Sequence, residues 1–512
     1  MKKDYTKDKN VVHRISNDLT NELSLHGDLA AEEPIYIFIT KDCKTIYHSK
    51  CLPTIIDEVS KLECLSVSAK GLSYLLQDGV IPSPLSIYTN LFILSVGDQF
   101  IATSMNGEKW QYHFENHFPF IRNTNLAESK QFTLCDPNSD RELLRRLAQS
   151  IDQKTKDREI LNLFHSAGKD SNVIAIALAE AGKSSTTESL TYKALGEKDE
   201  SEIVAKVCKK LGFNHTVIDL MSLSDINIKE RINHYFDQLL MPSMDNAALL
   251  YPLISDSLNT SSTIIDGMGN DLYIGHVPTK HEYRLQQLSP FLRQAEKLLW
   301  WDIHPFRRQS LSKTRAHITG LNGFSGLEVS AIFDKHQDTY DDWKEKSKQF
   351  SSEDYFQFRA RIRGGYIDTE KFVRKLRAAG DVYQWKVLFP WMNESVASLV
   401  FGLNEADCFD RKRFKNKIFI RDLLKKYLDL DSDKLGKKAF SFDYYSVLNS
   451  LGNDVKNEIL SCQAWNKSIA QHYDVLALNS FSYGPYQSHW QLRLYRLYLI
   501  SAWLNHRGLK VF

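Results

Sequence analysis

Apolar positions along this chain change their period, and the changes mark out elements. Between residues 35 and 114 they come in short runs: Ile35 to Thr40, Thr45 to His48, Leu91 to Leu94, Gln99 to Thr103 and Trp110 to Phe114. Short β-branched and aromatic runs bounded by polar turns predict strands. Gly97 and the pair Asn106–Gly107 separate the last three as hairpin turns would. Ser68 to Gln77 has helical spacing and leads into a Gly/Pro segment, Gly79 to Pro84. This pattern predicts a small α+β domain over 33–135. Residues 1–32 are polar and predict a flexible arm.

From residue 140 the period alternates. A helix is predicted over Asp140 to Lys154, then a strand ending at Phe164, then a helix from Asn172 to Ala181. Strands follow at Ser189 to Ala194, His215 to Asp219 and Ser262 to Asp266. Helices lie between them at Glu200 to Leu211, Lys229 to Leu240 and Ala247 to Leu258. The first of these puts Ile203, Val207 and Leu211 on one face. Strands alternating with helices predict an α/β fold, a doubly wound parallel sheet whose ligands bind at the carboxyl ends of the strands. Beyond 280 the pattern is helical, interrupted at Leu388 to Asn393 and closed by an amphipathic helix from Gln487 to His506. Residues 136–512 are therefore expected to form one domain, the sheet followed by a helical C-terminal region.

Composition narrows the function classes. The net charge of +2 gives no basic field for nucleic acid. No run of about 18 apolar residues predicts a membrane span. The first residues are too polar for a secretory leader. Seven cysteines are scattered without a C-x-x-C pair, which predicts free thiols in a reducing cytoplasm.

Candidate chemistry concentrates in two turns. Ser166, Ala167, Gly168, Lys169, Asp170 and Ser171 lie between a strand and a helix. Small residues let backbone N–H groups approach a phosphate, and a helix N-terminus offers unpaired donors and partial positive charge. Asp170 alone could equally cap the helix. A second Gly-rich turn, Gly267 to Gly275, follows the strand ending at Asp266. Both turns fall at strand carboxyl ends and are expected to face one site.

The first turn matches the pyrophosphate loop, S-G-G-x-D-S, of the N-type ATP pyrophosphatases, with Ala167 where the first Gly is usual; Ala restricts positive φ. Five further blocks follow in order: Asp199 to Glu202 leading to His215, Met241 to Asp245, Asp266 to Gly275, Leu388 to Asn393, and Lys417 to Arg421 with Lys437 to Phe440. Over roughly 140–505 the chain thus resembles the synthetase half of asparagine synthetase. The segment 72–97 resembles the end of that family's glutaminase domain, which is normally much longer. Lys2 stands where the family has its nucleophilic Cys, so glutamine hydrolysis is not expected and the domain is read as a remnant.

The resemblance implies residue roles. Ser166, Gly168, Asp170, Ser171 and Lys417 would bind ATP, with Lys417 gripping pyrophosphate. Asp170 and Asp271 would hold Mg2+, which takes one or two carboxylates plus phosphate oxygens. Lys437 would lie over the reacting centre, with Lys438 its nearby competitor; Lys437 and Asp271 are the catalytic candidates. Met268 and Leu272 replace two acids of the family's S-G-E-G-A-D-E, so the asparagine-making site is altered. The nucleophile then arrives neutral, or another group such as Tyr273 serves as base, or the amide step is lost. The implied activity is an ATP-dependent, AMP-forming amide ligase without its own glutaminase, acting on an acid other than aspartate. The alternative is a nucleotide-binding relative that no longer catalyses. The implied partners are a carboxylate small molecule or peptide and an amine or ammonia, with no nucleic acid and no membrane; a homodimer stays open. The aromatic, basic segment 280–380 is a candidate pocket for the acid.

Overall fold

The computed structural model describes residues 11–16, 21–104, 109–121, 139–156, 158–193, 199–220, 225–274, 277–296, 313–433, 442–481, 484 and 486–512. The chain divides into two compact units. One is Met1–Ile121 with Pro278–Lys371 and Glu458–Phe512; the other is Arg122–Val277 with Phe372–Asn457.

The first unit begins with seven antiparallel strands: β1 (His13–Ser16), β2 (Glu22–His26), β3 (Ile35–Ile39), β4 (Thr45–Ser49), β5 (Leu91–Leu94), β6 (Asp98–Thr103) and β7 (Gln111–Asn116). They form one sheet in the order β1-β4-β3-β5 and another in the order β2-β6-β7. Ile15, Ile37, Ile46 and Leu94 from the first sheet share a core with Leu23, Leu25, Phe100 and Ala102 from the second. β1 and β2 correct the expectation of a bare arm over 1–32. In Glu22–His26 the residues alternate exposed and buried, so Leu23 and Leu25 turn inward although polar residues surround them. The helix Ala69–Asp78 starts where the Ser68 side chain accepts the Gly71 N–H and stops at Gly79, φ +71°. The closing helix, Gln487–Arg507, belongs to this unit and is buried from Arg493 to Leu504. Two arginines of the 280–380 segment have protein partners: Arg359 Nε lies 2.6 Å from Glu282, and Arg361 Nη2 lies 2.6 Å from Glu353.

The second unit is built on the predicted parallel sheet. Its strands are β8 (Leu161–Phe164), β9 (Thr187–Lys193), β10 (Asn214–Asp219), β11 (Thr263–Ile265) and β12 (Lys386–Leu388), in the order β10-β9-β8-β11-β12 and all parallel. The chain runs from β8 outward to β9 and β10, then crosses to β11 on the other side of β8. That reversal makes the space between β8 and β11 the topological switch point, where ligands of open α/β sheets bind. Leu161, Leu163, Ile264 and Ile265 are buried, as central parallel strands require. The helix Lys169–Glu180 buries Val173 through Leu178. The helix Ser201–Leu211 buries Val204, Val207 and Cys208 rather than the predicted Ile203–Val207–Leu211 stripe.

Candidate functional site

Two turns meet at the switch point. The first leaves β8 through His165 and enters the helix Lys169–Glu180, with Gly168 at its N-cap (φ −68°, ψ 151°). Within it the Ser166 N–H donates to Ser171 Oγ at 3.3 Å, and the Gly168 N–H donates to Ser166 Oγ at 3.1 Å. Asn172, fully buried beneath the turn, donates to the Ser166 and Gly168 carbonyls at 3.1 and 2.6 Å. His165 bonds Ser189 Oγ through Nδ1 at 2.9 Å and Asn172 Oδ1 through Nε2 at 3.2 Å. Burial lowers His165 to about 4, so it stays neutral and supports the turn from below. Ala167 is not among the non-glycine residues with positive φ, and Gly168 has negative φ. Ala at the family's glycine position therefore carries no backbone strain here.

The second turn leaves β11 through Asp266, whose Oδ1 accepts the Met268 N–H at 2.8 Å. Gly267 is required by close approach. A Cβ there would lie 2.8 Å from the Ser171 nitrogen and 3.2 Å from the Asp170 carbonyl carbon. Gly269 has φ +105°, and a Cβ there would meet Met392 Cγ at 2.2 Å. The two turns can touch only because Gly267 lacks a side chain, and Gly269 makes room for Met392.

Their contact brings the predicted acids together. Lys417 Nζ lies 2.8 Å from Asp170 Oδ2 and 2.7 Å from Asp271 Oδ1. It also donates to Asn270 Oδ1 at 2.9 Å, while Asn270 Nδ2 donates to Asp170 Oδ1 at 2.6 Å. Lys417 is buried and takes a left-handed conformation, φ 55° and ψ 44°, just before the helix Ile418–Leu428. A non-glycine residue in that region stores strain, a feature of functional positions. Burial pulls its ammonium toward the neutral form, but the charges of Asp170 and Asp271 outweigh it and hold Lys417 above its ordinary value. Asn270 had no assigned role in the sequence, although it sits inside the motif.

Trp391 forms the floor. Its indole N–H donates to the Asp170 carbonyl at 3.2 Å, and its own carbonyl accepts the Tyr273 hydroxyl at 2.6 Å. Tyr273 is fully buried, and burial together with the nearby Asp170 and Asp271 charges raises it well above its ordinary value. A phenol that donates to a carbonyl and resists ionisation is poorly placed to act as a base, which argues against the Tyr273 option. The Met241–Asp245 block is tied in by a buried ion pair, Lys375 Nζ to Asp245 Oδ1 at 2.8 Å. Lys437 and Lys438 lie outside the described residues. Among the described residues no group of three metal-type ligands occurs. The Asp170–Asp271 pair already shares one cation, and two carboxylates are a donor set that Mg2+ accepts when phosphates complete its shell.

Residues 142–475 match the family model described as asparagine synthase. No curated protein matches the chain.

Proposed function

The chain belongs to the asparagine synthase family, and from that premise we propose that it is an ATP-dependent, AMP-forming amide ligase without its own glutaminase activity. Support comes chiefly from one observation. Lys417, Asp170 and Asp271 converge from three separate segments onto the switch point of the sheet. Such a site offers a cation, two carboxylates and a helix N-terminus, which is what a nucleotide triphosphate and its metal need.

In this reading Asp170 and Asp271 would hold Mg2+, and the ion would supply charge neutralisation for the phosphates. Ser166, Gly168 and Ser171 bind the phosphates through N–H and hydroxyl groups. A substrate carboxylate oxygen attacks the α-phosphorus, and the bond to pyrophosphate breaks. Lys417 moves from the aspartates to the departing pyrophosphate, stabilising its charge where water is excluded. An amine or ammonia then attacks the acyl-adenylate carbonyl and AMP leaves. Lys437, with Lys438 beside it, is the proposed second cation over that centre. Met268 and Leu272 remove the acids the family uses for aspartate, so the acid is a different carboxylate, small-molecule or peptide. The amine enters neutral or loses its proton to a group other than Tyr273.

The absence of glutaminase activity rests on thiol chemistry. The Cys43 thiol donates weakly to the Lys41 carbonyl, and Cys51 accepts from the Thr54 hydroxyl. Neither bond supplies the base that a glutaminase thiol needs. Among the described residues no helix is long and apolar enough to cross a membrane.

The test is pyrophosphate and AMP release from ATP and Mg2+ across a panel of acids, including aspartate, uronic acids and carboxylate-bearing peptides, with ammonia present. Turnover with one acid class other than aspartate is the expected result. ATP binding without turnover on any acid would favour a nucleotide-binding member that no longer catalyses.

A further inference from the structure

The pyrophosphate loop is closed by acceptors from its own chain. Three successive amides are engaged: Ser166 on Ser171 Oγ at 3.3 Å, Ala167 on Glu200 Oε2 at 2.8 Å, and Gly168 on Ser166 Oγ at 3.1 Å. Two of these acceptors are hydroxyls within the loop. A hydroxyl rotates, and it can donate to a phosphate oxygen as readily as it accepts from an amide. The third is a carboxylate from a different segment, at the start of the helix Ser201–Leu211. A carboxylate can only accept, so it competes with a phosphate oxygen for the same donor and repels it. Its reach is fixed from behind. Asp199 Oδ1 accepts the Ser201 N–H at 2.9 Å, and Asp199 Oδ2 pairs with Lys193 Nζ at 3.1 Å, which holds the Glu200 backbone beside the loop.

We propose that Glu200 is a built-in competitor for the nucleotide, seated on the Ala167 amide until ATP phosphates displace it. The inference rests on the ATP-binding reading above and adds a residue that sets nucleotide affinity. Glu200 acts through the loop and is a positioning residue. Its carboxylate forms a charge-assisted bond to Ala167, stronger than a neutral acceptor would form. Displacing it weakens ATP binding, and its return helps pyrophosphate to leave.

The experiment is calorimetric titration of the full chain, as wild type, Glu200→Gln and Glu200→Ala, with Mg-ATP and separately with Mg-pyrophosphate. Thermal unfolding of each protein checks the fold. Gln keeps an acceptor and removes the charge. Glu200→Gln is expected to bind both ligands about fivefold to tenfold more tightly. In steady state it should lower KM for ATP without raising kcat. A clamp that merely shaped the loop would give the opposite: unchanged affinity in Gln and weaker binding in Ala. Wild-type binding with no gain in Glu200→Gln overturns this inference alone. No ATP binding by any of the three proteins overturns the functional reading with it.

Discussion

Lys417→Met isolates the electrostatic core of the site. Met keeps the apolar stem and removes the ammonium. The Lys417 side chain is 6% exposed, and its Nζ lies 2.8 Å from Asp170 and 2.7 Å from Asp271. Stripping one partner from a buried ion pair costs about 3–5 kcal/mol. Asp170 is 28% exposed and Asp271 51%. Water therefore screens the two orphaned carboxylates, and the expected cost falls to about 1–3 kcal/mol. At about 2–4 °C per kcal/mol, that is a readily measured fall in Tm. The sign with pH follows from the raised value of Lys417. Burial opposes its charge and the two aspartates more than restore it, so the ammonium's contribution is complete below about pH 10 and is lost as pH rises through the folded value. The gap between variant and wild type should thus hold at neutral pH and close only in alkali. Calorimetry with and without millimolar Mg2+ completes the assay. Without the lysine, the aspartates lose the cation they share, so Mg2+ should raise the variant's Tm more than the wild type's. A variant as stable as wild type and indifferent to Mg2+ would refute the reasoning.

Three further outcomes are expected. Gly267→Ala places a Cβ 2.8 Å from the Ser171 nitrogen, so it should separate the two turns and abolish pyrophosphate release while circular dichroism stays unchanged; full activity would show that the turns need not touch. Tyr273→Phe should keep the pH–rate profile of the wild type and lose about 1 kcal/mol of stability with the bond to Trp391; loss of the basic limb would reinstate Tyr273 as base. Burial lowers His165 to about 4, so the unfolded chain binds the extra proton first. Wild-type stability should fall from about pH 6.5 toward pH 4 by up to about 3 kcal/mol. His165→Gln should flatten that acid limb, as chemical denaturation at each pH would reveal.

The two turns of the candidate site were legible because Gly, Ser and Asp cluster in a strand-to-helix turn. The strands β8 to β11 were legible because short β-branched runs alternate with helices of clear period. β12 was not: three residues before Phe389 and Pro390 are too few to carry a period. The inward face of Ser201–Leu211 was misjudged because Ile203, Val204 and Val207 satisfy two nearly equivalent helical stripes. Within the aromatic, basic segment 280–380, read as a candidate pocket for the acid, Arg359, Arg361 and Lys375 are buried against acids. The partners of Arg359 and Lys375 lie 77 and 130 residues away along the chain, beyond any local pattern. The π-helical winding of Ala360–Val373 has no sequence signal either. Glu200 and Trp391 act through tertiary contacts, and only folding puts them beside the loop.

The Lys417–Asp170 pair joins residues 247 positions apart. At about 5–20 residues per second, a ribosome needs roughly 12–50 s to make the second after the first. Once Asp271 has been made, the nascent chain carries both turn aspartates before Lys417 exists. The left-handed lysine arrives after both aspartates, and a chain halted before it would leave the acidic turns open to free divalent cations. Synthesis speed thereby becomes a variable in how this site is assembled.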